Sequence, residues 1–512
     1  MLITKSLFVT FTKSPKLARW QVNDKQTYGQ IQESLYGWID GVKICNQVEE
    51  IVKQHYKDYQ IAEVDTKNMW NARHQTYHDR TIQLLAKDPE IVYQPAFLVD
   101  GVFIKCDFLK KSQLWTYDLI EVKSKNMIRK TTKAQPLLDD LVADISIQAW
   151  VLQKVLWDQF SWQCFLAHTN KVYQKQWVID PQALIVFEKV TNEYLDNETI
   201  VIQLKQMQDM LGLPQERFND QYPYNGTDYL TYFWTVPPKD SLWSISRLWS
   251  KKKSTLYHAW IHKLAQFTSK EIDLIKNSKW EETRSSRFVE LWKQWMTVVD
   301  KKWLSEMLWS LQYPLYFYDY ETISNPVPLF DGTSPWQQVV VQYSLHVVYE
   351  DGSISHHEAI INPWERSNKR LLESMIQDMN QIGEWTRIVW YAWFENKRNE
   401  ERSLLFPEYE EELIRINNQT FDLMSIFEEQ IYFDRRFEWS CSIKNVLPVL
   451  TDISYEDLEV SNGGQAMQEL TILYEWWYQW NDYEQMRKHL LEYCKMDTWA
   501  MVRIWQELRK LL

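Results

Sequence analysis

The sequence predicts a multidomain α/β protein, and three observations carry that expectation. Its 512 residues are too many for one ordinary core, because domains of roughly 100 to 200 residues are usual, so two to four units are expected. Hydrophobic residues make up 45% and charged residues 25%, with no low-complexity tract, which is enough apolar material for the whole chain to fold. Strand-like and helix-like patterns alternate toward both ends, whereas helical patterns dominate the middle. The expected boundaries are 1–200, a helical connector at 201–312, and 313–512.

In chain order, "YGWIDGVKICNQVEEIVKQHY" sets Ile39, Val42, Ile44, Val48, Ile51 and Val52 at helical spacing. The stretch "AFLVDGVFIKCDFLKKSQLWTYDLIEVKSK" has apolar, β-branched runs split at Asp100-Gly101 and at Lys110 to Gln113, which predicts a β-meander. A long amphipathic helix follows in "LLDDLVADISIQAWVLQKVLW", and "LIVFEKV" reads as a later strand. Helices dominate from about 200 to 312, broken by "YPYNGTDY" and "TVPPKDS", which read as loops. After Pro314 come three strands, "LYFYDYETI", "QQVVVQYSLHVVY" and "SISHHEAIIN", the last two joined across Glu350-Asp351-Gly352. A helix, the strand "RIVWYAW" and further helices, the last ending at Leu512, finish the alternation.

Composition narrows the function classes. The N-terminal "MLITKSLFVTFTKSPKLARW" has no signal-peptide apolar run, and no segment approaches about 18 consecutive apolar residues, so a cytoplasmic protein without membrane partners is expected. Cys45, Cys106, Cys164, Cys441 and Cys494 are scattered without a CxxC spacing, and reduced structural thiols are expected. The net charge of −12 excludes a general polycation but not a local nucleic-acid surface. One basic stretch holds Arg247, Lys251, Lys252, Lys253, Lys263, Lys270, Lys276 and Lys279 against Glu271 and Asp273, and a second lies around Lys105 to Lys133. Either is a candidate phosphate contact, and a solvated charged face is the plainer reading. Trp is abundant at 28 and Gly scarce at 11, which reflects genome composition or codon usage as much as selection.

In "LIEVKS", alternation puts Glu121 and Lys123 on one strand face, and Asp107 belongs to the preceding strand across the Lys110 to Gln113 turn. Two carboxylates and a lysine suit phosphodiester hydrolysis, in which oxygen ligands hold Mg2+, the metal activates water and the ammonium offsets developing charge. Strand, turn, strand and a helix carrying Gln148 is an order that resembles the PD-(D/E)xK nucleases, and 1–190 resembles their RecB-type branch. The resemblance implies a restriction-endonuclease-like core. It also implies Asp107 and Glu121 as metal ligands for one or two ions, Lys123 as the catalytic lysine and Gln148 as the motif glutamine. "SPKLARW" is similar to that branch's Cys-containing element, with Ser14 in the Cys position, and only Cys164 lies downstream of Gln148 in this region, so no iron-sulfur cluster is expected. The first-helix His of that branch is absent near Cys45, where Glu49 is the substitute candidate.

The same alternation puts Asp319 and Glu321 on one face, with Tyr318 and Tyr320 on the other. Like charges converging in an apolar strand repel unless a cation neutralises them. Glu395 follows a strand at the start of a helix, and Tyr493 and Asp497 lie one helical turn apart. This order resembles the DEDD exonucleases on an RNase H-like mixed-sheet fold, in the subclass with a tyrosine four before the last Asp. The resemblance implies Asp319, Glu321, Glu395 and Asp497 as ligands of two Mg2+ or Mn2+ ions, Tyr493 orienting the attacking water, and 3′ to 5′ polarity. The second motif usually ends in Phe-Asp and here reads Phe394-Glu395; Asp422 in "TFDLM" is a reserve. Residues 313–512 also resemble a bacterial family of uncharacterised RNase H-like domains fused behind a RecB-like nuclease, through "PWQQVVVQYSLH", "SIKNVLP" and "YCKMDTWAM"; Trp439 replaces that family's Gly before Ser440.

The expectation is therefore a two-headed, metal-dependent nuclease acting on single-stranded or end-bearing nucleic acid, DNA favoured and RNA possible. Lys251, Lys252, Lys253 and Lys444 are candidate strand contacts. The alternative is a nucleic-acid-binding scaffold with one or both sites inactive.

Overall fold

A computed structural model describes residues 2–26, 28–29, 41–64, 74–112, 115–129, 136–221, 240–245, 248, 250–276, 282–294, 297–379, 385–438, 440–474 and 480–512. The chain is mixed α/β and divides into two compact units. One comprises Met1–Thr231 with Asn325–Leu329 and Ser334–Trp336; the other comprises Tyr232–Ser324, Phe330–Thr333 and Gln337–Leu512. The stretch 201–312, read as a connector, is divided between them. Among the described residues no helix is long and apolar enough to cross a membrane.

The first unit is built on a six-stranded mixed sheet in the order Ile61–Glu63, Ile91–Tyr93, Phe108–Lys111, Tyr117–Lys123, Phe160–Thr169, Ile185–Lys189. Alternation along Tyr117–Lys123 sends Leu119 into one apolar cluster with Leu141, Ile145 and Leu152 of helix Asp139–Leu156. It sends Ile120 and Val122 into the opposite cluster with Val48, Ile51 and Val52 of helix Gly41–His55. Each fully buried Leu, Ile or Val of these layers contributes about 1.5–3 kcal/mol. The expected meander forms as strands but not as one sheet. Val102–Lys105 is the central strand of a separate three-stranded sheet, between Ala96–Val99 and Ile3–Thr4, and the chain changes sheets at Cys106-Asp107. Asp107 accordingly sits in the bend before Phe108–Lys111, not inside a strand. The helix read from 30 to 60 is described from Gly41 to His55, and its earlier part lies outside the described residues, as does most of "YPYNGTDY" and "TVPPKDS".

The second unit holds a five-stranded sheet in the order Ile354–Ile360, Val339–Val348, Leu315–Ile323, Thr386–Val389, Thr420–Asp422. The first three strands are antiparallel and the last two run parallel to the central one. Tyr316, Tyr318 and Tyr320 pack on one face with Leu372, Met375 and Ile416 from the helices there. Phe317 points the other way and meets Trp505 of the long helix Trp480–Arg509, with ring centroids 5.8 Å apart. Asp319 and Glu321 share that second face by the period of two. The pairing with Val339–Val348 shifts register between Glu321 and Thr322, so the pleat is broken at the second carboxylate.

Candidate active sites

In the first unit, strand Ile3–Thr4 delivers Thr4 as the N-cap of helix Lys5–Lys13, its hydroxyl accepting the Leu7 N–H, and this sets Lys5 at the first helical position. Lys5 Nζ donates to Glu121 Oε1 at 2.7 Å and lies 3.4 Å from Asp144 Oδ1. Lys123 Nζ donates to the same Glu121 oxygen at 2.7 Å and to Asp144 Oδ2 at 2.5 Å. Gln148 Nε2 donates to Glu121 Oε2 at 2.9 Å and to Asp144 Oδ1 at 2.8 Å. The Asp107 carboxylate accepts the Val122 N–H at 2.7 Å, which pins it beside the strand of Glu121. The structure therefore brings Asp107, Glu121, Lys123 and Gln148 together.

Burial, then the charge of Glu121, pushes the Asp107 carboxyl well above the usual range. Burial works the same way on Asp144, but Lys123 and Lys5 beside it outweigh that and hold it low. Burial opposes the Lys123 charge too, and Asp144 with Glu121 overcome it and raise the ammonium. Glu49 is nearly buried and accepts hydrogen bonds from Tyr93 at 2.6 Å and Gln94 at 2.9 Å. Ser14 caps helix Pro15–Asn23 through the Leu17 N–H, a structural use of that position.

In the second unit, Asp319, Glu321 and Cys494 each present one ligand atom, all three within 4.8 Å of one another. Asp497 comes from the same helix as Cys494, three residues on, and its Oδ1 accepts a 2.6 Å hydrogen bond from Tyr455. Tyr493 OH accepts from Lys444 Nζ at 3.2 Å, and that ammonium also lies over the Tyr455 and Tyr493 rings at 5.2 and 5.0 Å. Glu395, in the first turn of helix Ala392–Leu405, is buried with Oε2 lacking a hydrogen-bond partner. Asp422, the reserve, accepts the Ala392 N–H through Oδ2 at 3.2 Å at the start of the helix that carries Glu395, and its Oδ1 is buried without a hydrogen-bond partner.

The charges here are poorly met. Burial, then Asp497, raises the Asp319 carboxyl; burial, then Asp319 and Asp497, raises Glu321; burial, then Asp319, raises Glu395. Asp497 is pushed up to about 6 by burial, against the hydrogen bond from Tyr455 and the nearby Lys444. Burial lowers Lys444 itself. Four carboxylates and one partly buried lysine fit a divalent cation, because the unpartnered Glu395 oxygen and the mutual repulsion are both relieved by one.

Sequence reasoning missed Lys5 and Asp144 in the first cluster and Tyr455 and Cys494 in the second. Asp144 was findable, four residues before Gln148 on the same helical face. Lys5 and Tyr455 reach their partners through contacts 116 and 42 residues away, with no local pattern to mark them. Of the candidate strand contacts, Lys251 is exposed, while Lys252 and Lys253 donate to the carbonyls of Lys276 and Trp243 at 2.9 and 3.0 Å. Lys444 donates to the Ser461 carbonyl as well as to Tyr493.

A domain of unknown function (DUF2779) matches residues 316–442, a stretch that holds Asp319, Glu321 and Glu395 and stops before Lys444, Tyr455, Tyr493 and Asp497. The chain is 24% identical over 282 residues to an uncharacterised protein of Mycoplasma genitalium, covering 51% of this chain and 41% of that one. It is 28% identical over 215 residues to the homologue in Mycoplasma pneumoniae, covering 37% and 31%. An uncharacterised protein of Ureaplasma parvum is 25% identical over 218 residues, covering 38% and 31%. The chain thus spans well under two thirds of the length of these relatives. No solved structure matches the chain.

Proposed function

We propose that the chain is a metal-dependent nuclease whose second unit is an RNase H-like exonuclease of the DEDD type and whose first unit is a PD-(D/E)xK nuclease core. One observation carries the reading: Glu321, Glu395 and Asp497 are buried beside the half-buried Asp319, and each carboxyl is pushed above its ordinary range. Asp319, Glu321, Glu395 and Asp497 would hold Mg2+ or Mn2+, which when bound supplies a Lewis acid for the phosphate and lowers the pKa of water. Tyr493, whose hydroxyl accepts from Lys444, would orient the attacking water. Tyr455 fixes the rotamer of Asp497. Addition of water to phosphorus with loss of the 3′-oxygen releases a nucleoside 5′-phosphate and leaves a shortened strand with a free 3′-hydroxyl. The polarity and the preference for DNA over RNA rest on the family resemblance.

In the first unit Asp107 and Glu121 would hold the ion and Lys123 would meet the phosphate. The scaffold reading has a specific observation in its favour there: Lys5, Lys123 and Gln148 already satisfy Glu121 and Asp144. End-labelled DNA and RNA, incubated with wild type, Asp107→Ala and Asp319→Ala with and without Mg2+ or Mn2+, test both readings. Loss of a different product pattern in each variant is expected. Strand binding by wild type without any cleavage would replace the nuclease reading with the scaffold.

A further inference from the structure

Cys494 has no part in that hydrolytic scheme, yet its sulfur lies among the ligands. Its Sγ is 3.7 Å from Asp319 Oδ2 and 3.9 Å from the Asp319 carbonyl oxygen. The residue is fully buried, one position after Tyr493 and three before Asp497. A second observation at the same place points to a cation. Glu395 is 3% exposed, its Oε2 has no partner, and Asp319 is the charge that acts on it most strongly.

Mg2+ takes oxygen ligands and leaves a thiol protonated, whereas Zn2+ and Cd2+ bind thiolate together with carboxylate. We propose that Asp319, Glu321 and Cys494 form a mixed oxygen and sulfur site that takes a thiophilic divalent cation, Zn2+ or Cd2+. Binding forms a sulfur–metal bond as the S–H bond breaks, the proton leaves to solvent, and no electron is transferred. Such an ion occupies the position required by Mg2+ or Mn2+, so it inhibits hydrolysis. The regulatory consequence rests on the exonuclease reading; the binding itself does not.

Cd2+ is titrated into the full chain without nucleic acid, and the sulfur-to-cadmium charge-transfer absorption is recorded. Cys45, Cys106, Cys164 and Cys441 are also free thiols, so the wild-type minus C494S difference isolates the site. The expected result is a saturable band in that difference, with Cd2+ affinity weakened at least about tenfold in D319N. Identical bands in wild type and C494S overturn the proposal. A band unmoved by D319N also overturns it, because the sulfur then acts alone, and this second variant decides the matter should C494S fail to fold. Absence of Mg2+-dependent cleavage with the band intact sinks the exonuclease reading and leaves the cation site standing.

An independent observation concerns the backbone. Among the described residues twelve non-glycine positions have positive φ, and six of them are tryptophan. A bulky residue there is a strained exception, and glycine is the usual occupant. Trp157 ends helix Asp139–Leu156 at φ 49 and ψ −112, where helices commonly stop on glycine. Trp162 falls where the register between strands slips, with Tyr117 opposite Phe160 and Leu119 opposite Cys164. Little burial offsets the strain at Trp115, Trp157, Trp177 and Trp260, which are at least 75% exposed, although Lys111 lies over the Trp115 ring and His262 stacks on Trp260. Trp336 differs, since its indole N–H donates to the Ser124 carbonyl. Ordinary glycine usage of about 7% would put about 25 more glycines in the chain than its 11, a shortfall close to the 28 tryptophans.

We infer that the polypeptide made in its own host carries glycine at 115, 157, 162, 177 and 260, from a codon that host reads as glycine and other translation systems read as tryptophan. Peptide mass spectrometry of the protein isolated from its host is expected to find glycine at these positions; tryptophan there overturns the inference. In recombinant protein, W115G, W157G, W177G and W260G are each expected to raise Tm by about 2 °C or more, while W150G, in a buried helical position, lowers it. A fall in Tm for the four exposed variants would contradict the backbone argument.

Discussion

The two acidic clusters differ in how their charge is met. Around Glu121 and Asp144, two lysines and a glutamine close every short contact, so the first unit carries its own counter-charge. Around Asp319 and Glu321, the partners are a thiol, two tyrosines and one lysine that burial disfavours as a cation. A buried ion-pair network tolerates the absence of a metal, whereas converging carboxylates are strained until a cation arrives. The same nominal chemistry, acids on a strand beside a helix, therefore yields one cluster met by its own lysines and one whose carboxyls are raised by burial and mutual repulsion.

The largest expected effect is a difference of sign. Glu121→Gln removes one acid from a paired set and should cost about 3 kcal/mol of stability, the low end for breaking a buried pair because Asp144 keeps both lysines. Glu321→Gln removes a repelled buried charge and should raise metal-free stability by about 1 kcal/mol. Urea melts without divalent ions check both, and two shifts in the same direction would erase the contrast.

The next effect is on pH dependence. The folded Asp497 carboxyl titrates at about 6 against an ordinary 3.8, so the native state binds more protons in that interval and stability falls as pH rises from about 4 to about 6. The penalty is on the order of 3 kcal/mol and complete above pH 6. His346 and His356, lowered by burial to about 3 and about 4, act oppositely and destabilise the fold as pH drops below their ordinary 6.5. Melts of wild type against Asp497→Asn cancel the histidines and leave the contribution of Asp497 together with its repulsion of Asp319 and Glu321, which acts in the same direction. A difference that stays flat from pH 4 to 6 would contradict the burial argument.

The smallest effect concerns Tyr455, which donates a hydrogen bond to Asp497, one of the proposed ligands. Tyr455→Phe should lower Mn2+ affinity or turnover about tenfold at the second site and leave the first site's products unchanged. Equal loss at both sites in product analysis would point to a general folding defect.

Local pattern made much of this legible. Period-two alternation placed Asp319 and Glu321 opposite the tyrosines, and helical spacing placed Tyr493 with Asp497, because both features are set within a few residues. The strand Phe160–Thr169 escaped notice, since its pattern is interrupted at the positive-φ Trp162. The change of sheet at Cys106-Asp107 was also invisible, as it depends on Ile3–Thr4 pairing with Val102–Lys105 about 100 residues away. Lys5 belongs with that omission, for the strand that pairs there is what carries it to Glu121.

Counting bound Mn2+ by the loss of the free-ion EPR signal tests the central contrast most directly. Mn2+ binding is expected to survive in Asp107→Ala, and the tightest binding is expected to disappear in Asp319→Ala. Mn2+ binding that is unchanged in Asp319→Ala, or abolished by Asp107→Ala alone, would contradict it.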